Sequence, residues 1–218
     1  MTALMRRRMM MAAKEQGGGG LPDSFQQVEW IGTPTNASNK PYINTGIIAN
    51  AAEYHMTAKY LNTVSSDAYG LGTRLGDGSV TQCCFFGRYN ANSQWAWQGY
   101  FYGPNAPQDN IHIVDAVFQN GSQVITVDGT TGTYSRTGDF NGTLPFFVFC
   151  RNNGDGTIGG HACGMRYYYL QMRLDGVLVR GYIPCYRKSD GEIGMYDLVS
   201  NSFFTNAGSS TFEKGNDV

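Results

Sequence analysis

The sequence has 218 residues, of which 41% are hydrophobic and 13% aromatic, with 29 glycines. A formal net charge of -1 and a pI of about 6.3 exclude the strong positive field expected of a protein built for nucleic acid or an anionic membrane surface. Charged residues make up only 15% of the chain, and uncharged polar groups and tyrosine take their place, a balance suited to a β-rich protein that works through hydrogen bonds and stacking.

Residues 1–16 contain strong helix formers and neither glycine nor proline, which predicts a short N-terminal helix. Met1, Met5, Met9 and Ala12 fall near one face, and Arg6, Arg7 and Arg8 spread over the others. Alone, a helix this short is marginal in water, so it needs a partner surface. The apolar run from Met9 to Ala13 is shorter than a signal-peptide core and is ended by Lys14 and Glu15, so export is not expected. No window approaches the length of a membrane span, so no membrane insertion is expected. Gly17 to Gly20 then form a flexible joint, dividing residues 1–16 from a single domain at 21–218.

Beyond the joint the pattern is one of strands. Phe25 to Ile31 and Tyr42 to Ile48 are β-rich runs separated by a turn-forming segment. Ala52 to Leu61 alternates, with Tyr54, Met56, Ala58 and Tyr60 on one side and His55, Thr57 and Lys59 on the other. Cys83 to Arg88, Gln94 to Tyr102 and Ile111 to Gln119 continue the series. Asp128-Gly129 joins Gln123–Val127 to Thr130–Tyr134, and Asp175-Gly176 joins Tyr167–Leu174 to Val177–Ile183. Asp-Gly between strands predicts a tight hairpin, because both central positions need φ > 0. Leu144 to Cys150 is almost continuously apolar, as for a strand covered on both faces. Turn signals every 8–12 residues or so indicate a sandwich or barrel.

The opening LPDSFQQVEWI with PYINTGI, and above all the closing LVRGYIPCYRKSDGEIGMYDLVSNSFFTNAGSSTF, resemble a known family. It is that of laminin-G-like, concanavalin A-like lectin domains in prophage and gut-bacterial surface proteins. Phe85 to Arg88 and Val127 to Gly129 fall where that family carries related motifs, whereas Ser24 and Phe25 replace its usual Gly-Tyr. The resemblance implies an all-β concanavalin A-like jelly-roll sandwich of two antiparallel sheets. It further implies a phage virion structural protein, such as a tail or head fibre, presenting a carbohydrate- or receptor-binding domain. Met5, Arg6, Arg7, Arg8 and Met9 are then an anchoring peg to other virion proteins, and the sandwich faces a host-surface glycan or receptor. A homo-oligomer is expected by the same analogy, a trimer being common in fibres, although no heptads demand one. Rival readings are a capsid-decorating or tail module without glycan binding, and a degenerate glycosidase.

The residues themselves offer little chemistry. The glutamates Glu15, Glu29, Glu53, Glu192 and Glu213 form no same-strand acid pair of the kind a glycosidase needs. A nucleophilic Cys185 needs an imidazole, and His55, His112 and His161 lie in other segments. Tyr182 to Leu198 reads instead as a structural latch. In it Ile183-Pro184-Cys185 ends a strand, Ser189-Asp190-Gly191 turns, and Arg187 and Lys188 pair with Asp190, Glu192 or Asp197. Five cysteines in no regular spacing predict buried thiols rather than disulfides, and no metal or cofactor is expected. Asn152 to Gly156 reads as an ordinary turn rather than a Ca²⁺ loop. The candidate ligand residues are Trp95, Trp97, Tyr100 and Tyr102, with Asn90 and Asn92 beside them. Aromatic rings at a sandwich surface stack on the apolar faces of sugars while amides bind hydroxyls. The alternative is that Trp95 and Trp97 fill the core.

Overall fold

The computed structural model describes residues 20–35, 40–64, 68–74, 83–89, 92–97, 99–138, 141–154, 158 and 164–218. The expected N-terminal helix, with Met5, Arg6, Arg7, Arg8 and Met9, lies outside these residues, as do Asn90 and all of the glycine joint except Gly20.

All regular structure among the described residues is β. The first six strands are β1 (Phe25–Gln27), β2 (Ile31–Gly32), β3 (Ile43–Asn50), β4 (Glu53–Asn62), β5 (Ala68–Arg74) and β6 (Cys83–Tyr89). Next come β7 (Asn92–Trp97), β8 (Tyr100–Asn105), β9 (Ile111–Gln119), β10 (Ser122–Val127), β11 (Thr130–Tyr134) and β12 (Asn141–Val148). The last are β13 (Arg151–Asn152), β14 (Met165–Leu174), β15 (Val177–Arg187), β16 (Ile193–Asp197), β17 (Ser202–Thr205) and β18 (Glu213–Lys214). They form two sheets. An 11-stranded sheet runs β11-β10-β9-β4-β14-β15-β16-β17 and also carries β1, β2 and β18; a 7-stranded sheet runs β3-β12-β5-β6-β7-β8 with β13 against β5.

The larger sheet follows the local signals closely. Along β4 burial alternates strictly, and Tyr54, Met56, Ala58 and Tyr60 all point into the core. Both Asp-Gly pairs are hairpin turns with positive φ at each position, 49° and 84° at Asp128-Gly129 and 48° and 77° at Asp175-Gly176. Three local readings change. FQQVEWI is split into β1 and β2, which pair with different strands, β15 and β14. The strand read from Tyr167 begins instead at Met165, and with a register shift between Tyr167 and Tyr169 the adjacent Tyr169 and Leu170 are both buried. Pro184 does not end its strand, since β15 runs on to Arg187. Proline fits there because β15 leaves β14 after Tyr182 and takes up β1 from Cys185, so its missing N–H falls where the ladder changes partner.

In the smaller sheet Gln94 to Tyr102 is not one strand but the β7–β8 hairpin, pairing Gln94 with Tyr102 and Trp95 with Phe101. Strand β5 (AYGLGTR) has no sequence signature, because it is glycine-rich yet central, between β12 and β6. A Cβ at Gly70 would come within 2.5 Å of the Met165 sulfur and the Tyr167 hydroxyl, so the facing sheet's side chains require glycine there. The apolar run after Leu144 leaves β12 at Val148, and Phe149 (φ 73°) turns into the core against Tyr167 and Phe212.

Aromatic rings join the two layers. Tyr54 stacks on Phe146 at 4.8 Å, and Tyr60 meets Phe86 edge-on at 4.8 Å. Each such ring contributes about 1.5–3 kcal/mol on burial. Both sides of the sandwich are sealed. On one, Arg180 donates from Nε and Nη2 to the Thr45 carbonyl (3.1 and 2.7 Å). On the other, Phe101 packs against Tyr134 at 4.6 Å.

Candidate functional site

Trp95 and Trp97 are core residues, 0% and 2% exposed, and do not form a surface stacking platform. The physical reason is the hairpin: β7 turns its indoles toward the opposite sheet, where both lie beside Phe118. Their N–H groups are satisfied, Trp95 Nε1 donating to Ser93 Oγ (3.1 Å) and Trp97 Nε1 to the Gly138 carbonyl (3.3 Å). Asn92 starts β7 opposite Asn105.

Tyr100 and Tyr102 occupy the other face. Tyr102 is 51% exposed. Tyr100 packs on a small cluster of Tyr69 and Ala96 that is separate from the main core. Strands β5, β7 and β8 thus carry an aromatic floor on the outer face of the 7-stranded sheet. Guanidinium groups ring it. Arg151 lies over the Tyr69 ring (4.5 Å to the centroid) and donates from Nη1 to the Tyr69 hydroxyl (3.0 Å) and from Nε to Asn153 Oδ1 (2.9 Å). Arg74 donates to the Tyr100 hydroxyl (3.1 Å), while Arg136 donates to the Tyr100 carbonyl (2.6 Å). The Arg136 backbone is fixed in turn by the fully buried Gln123, whose Oε1 accepts from Arg136 N at 2.7 Å. Tyr69 and Arg151 are themselves buried, so the apolar stacking area on this face comes from Tyr100 and Tyr102, and the planar guanidiniums nearest the surface are Arg74 and Arg136.

Sequence reasoning missed Tyr69, Arg74, Arg136 and Arg151. They come from three separate segments, and Tyr69 and Arg74 lie on the strand that has no local signature. The one usable signal was the outward pair Tyr100 and Tyr102.

Cys185 is fully buried with Ile183, Tyr196 and Leu198, and burial pushes its thiol up to about 12, so it carries no thiolate near neutrality. His55 engages Asp115 (3.0 Å), and His112 engages Asp128 (2.6 Å) and the Pro107 carbonyl (2.7 Å). Among the described residues no three His, Cys, Asp or Glu side chains gather to hold a metal. In the turn after β13, Asn152 Oδ1 accepts from Gly154 N (3.0 Å).

The closing stretch is the expected latch, with one change of partner. Arg187 forms a forked, exposed pair with Asp190 (2.6–3.0 Å), which holds the Asp190 carboxyl below its usual range. Asp197 is not its partner but a fully buried hub. Asp197 Oδ1 accepts from Gly181 N (2.7 Å) and Val199 N (3.2 Å), and Oδ2 accepts from Ser200 N (3.1 Å) and Ser200 Oγ (2.6 Å). Arg180 Nη1 stands 3.5 Å away.

No family model matches the chain, and no curated protein matches it by sequence. Solved structures do share its fold. The native heptameric SAP-like pentraxin from Limulus polyphemus is similar at a TM-score of 0.51 and 10% identity, over 87% of this chain and 95% of that one. Domains LG4-5 of the mouse laminin alpha1 chain are similar at a TM-score of 0.52 and 9% identity, over 90% of this chain and 48% of that one, about half its length. The chain has the concanavalin A-like jelly-roll fold that its closing sequence resembles, with Tyr69 and Tyr100 and the guanidiniums that engage them on the outer face of the smaller sheet.

Proposed function

We propose that this chain is the recognition module of a phage virion protein, binding a host-surface glycan or receptor through the outer face of the 7-stranded sheet, and that it is not an enzyme. The observation that carries the binding role is the cluster of Tyr69 and Tyr100, set apart from the core and bordered by Arg74, Arg136 and Arg151, with Tyr102 exposed on the same strand as Tyr100. The virion setting is supported by the likeness of the opening and closing segments to prophage lectin-like domains. Residues 1–16 serve there as the anchor, and the module works as a homo-oligomer. The non-catalytic reading is supported by Cys185, held as a buried thiol, and by the described histidines, each engaged by a carboxylate.

A glycan array probed with the full chain tests the binding role. A restricted set of glycans should be bound, and Tyr102→Ala should weaken them about three- to tenfold, the worth of one stacked ring, without lowering Tm. Silence of the wild-type chain across the array, or equal binding by the variant, defeats this reading. Deleting residues 1–16 should remove the protein from assembled particles while the sandwich stays folded; continued incorporation would refute the anchor.

A further inference from the structure

The strands of the 7-stranded sheet contain no Asp, Glu or Lys, and their charged residues are Arg74, Arg88 and Arg151. The strands of the 11-stranded sheet, by contrast, mix Glu53, Asp115, Asp197 and Glu213 with their cations. Arg74 and Arg151 engage the outer-face tyrosines, and Arg136 adds a third guanidinium at the rim. Arg136 is exposed, its guanidinium reaches the Tyr100 carbonyl, and it makes no ion pair with a described carboxylate. Asp67, Asp77, Asp139 and Asp155, in connecting segments, lie outside the described residues. Tyr100 is therefore held between two guanidiniums, Arg74 at its hydroxyl and Arg136 at its carbonyl, with Tyr102 exposed beside it.

Resting on the glycan-recognition reading above, we infer that the ligand of this face is an anionic saccharide, one whose sugar rings bear carboxylate or sulfate groups. A neutral sugar can accept hydrogen bonds from a guanidinium but has no charge to pair with it. An acidic sugar uses both features, its ring stacking on tyrosine while its anion meets a planar guanidinium fork. The chain as a whole carries a net charge of -1, so the selectivity comes from placement rather than from bulk positive charge.

The test measures binding of the full chain to three immobilised polymers: polygalacturonate (carboxylated), dextran sulfate (sulfated) and dextran (neutral). Binding to one or both anionic polymers is expected, about tenfold or more above dextran, weakening as salt rises. The two anionic arms report which group is preferred. Arg136→Gln and Arg74→Gln should each weaken that binding about three- to tenfold with Tm unchanged, whereas Arg173→Gln on the other sheet should not. Equal or stronger binding to dextran, or anionic binding indifferent to salt or to both arginine variants, overturns the inference while leaving glycan recognition standing. No binding to any of the three polymers, with array hits confined to neutral glycans, also overturns it; silence on the array as well removes the recognition reading itself.

Discussion

The two sheets share one core but differ in what their outer faces hold. The larger sheet mixes charges of both signs along its strands, and it carries the Asp197 hub that ties β15 to the turn after β16. The smaller sheet has no acid in any strand, and its outer face carries tyrosines and guanidiniums that contact one another. An exposed mixed-charge surface is near neutral in effect, whereas a surface of tyrosines and guanidiniums has a preferred partner chemistry. The division places the buried Asp197 network in the sheet built by the closing segment and the tyrosine–guanidinium cluster on the outer face of the other.

That division can be broken experimentally. Asp197→Ala strips the acceptor from three backbone N–H groups and leaves Arg180 beside an uncompensated site, so a loss of about 3–5 kcal/mol in urea unfolding is expected. A loss below about 1 kcal/mol would show that the hub is dispensable. Alkaline pH gives a graded effect of comparable size. Burial raises Tyr60, Tyr167 and Tyr182 above the ordinary tyrosine value of 10.0, so the folded chain holds these protons more tightly than the unfolded chain. Their contribution is complete below that value and is lost as pH rises beyond it, at up to about 1.4 kcal/mol per pH unit for each tyrosine. Unfolding free energies measured from pH 9 to 11.5 should be flat and then fall; no decline would contradict the burial of these phenols. The smallest effect belongs to the outer face of the smaller sheet: Tyr102→Ala should leave stability within about 0.5 kcal/mol, as its ring is half exposed. Asp190→Asn, which removes an exposed pair, should likewise leave Tm unchanged.

Much of the larger sheet was legible because its strands are long and joined locally. The limits of β9 and β11 matched the reading, those of β10 did so within one residue, and the alternation of β4 was complete, since strict period-two patterns and Asp-Gly turns act over neighbouring residues. The latch was legible too, except that Asp197 faces inward to Arg180 and the backbone rather than outward to Arg187. The smaller sheet was harder to read. Gly70 of β5 lies against the Met165 and Tyr167 side chains of the opposite layer, and nothing in AYGLGTR announces them. Trp95 and Trp97 look the same in sequence whether they stack on a sugar or fill a core.

Local patterning settled the β class and the hairpins, because side-chain period and turn chemistry are properties of adjacent residues, while the choice of a sandwich over a barrel rested on the likeness of the closing segment to a known family. Which aromatics face inward, and which arginines meet around Tyr100, depended on how distant strands pair. Tyr69, Tyr100, Arg136 and Arg151 come together through hydrogen-bonded ladders and sheet packing that span more than eighty residues, a distance at which neighbouring sequence carries no instruction.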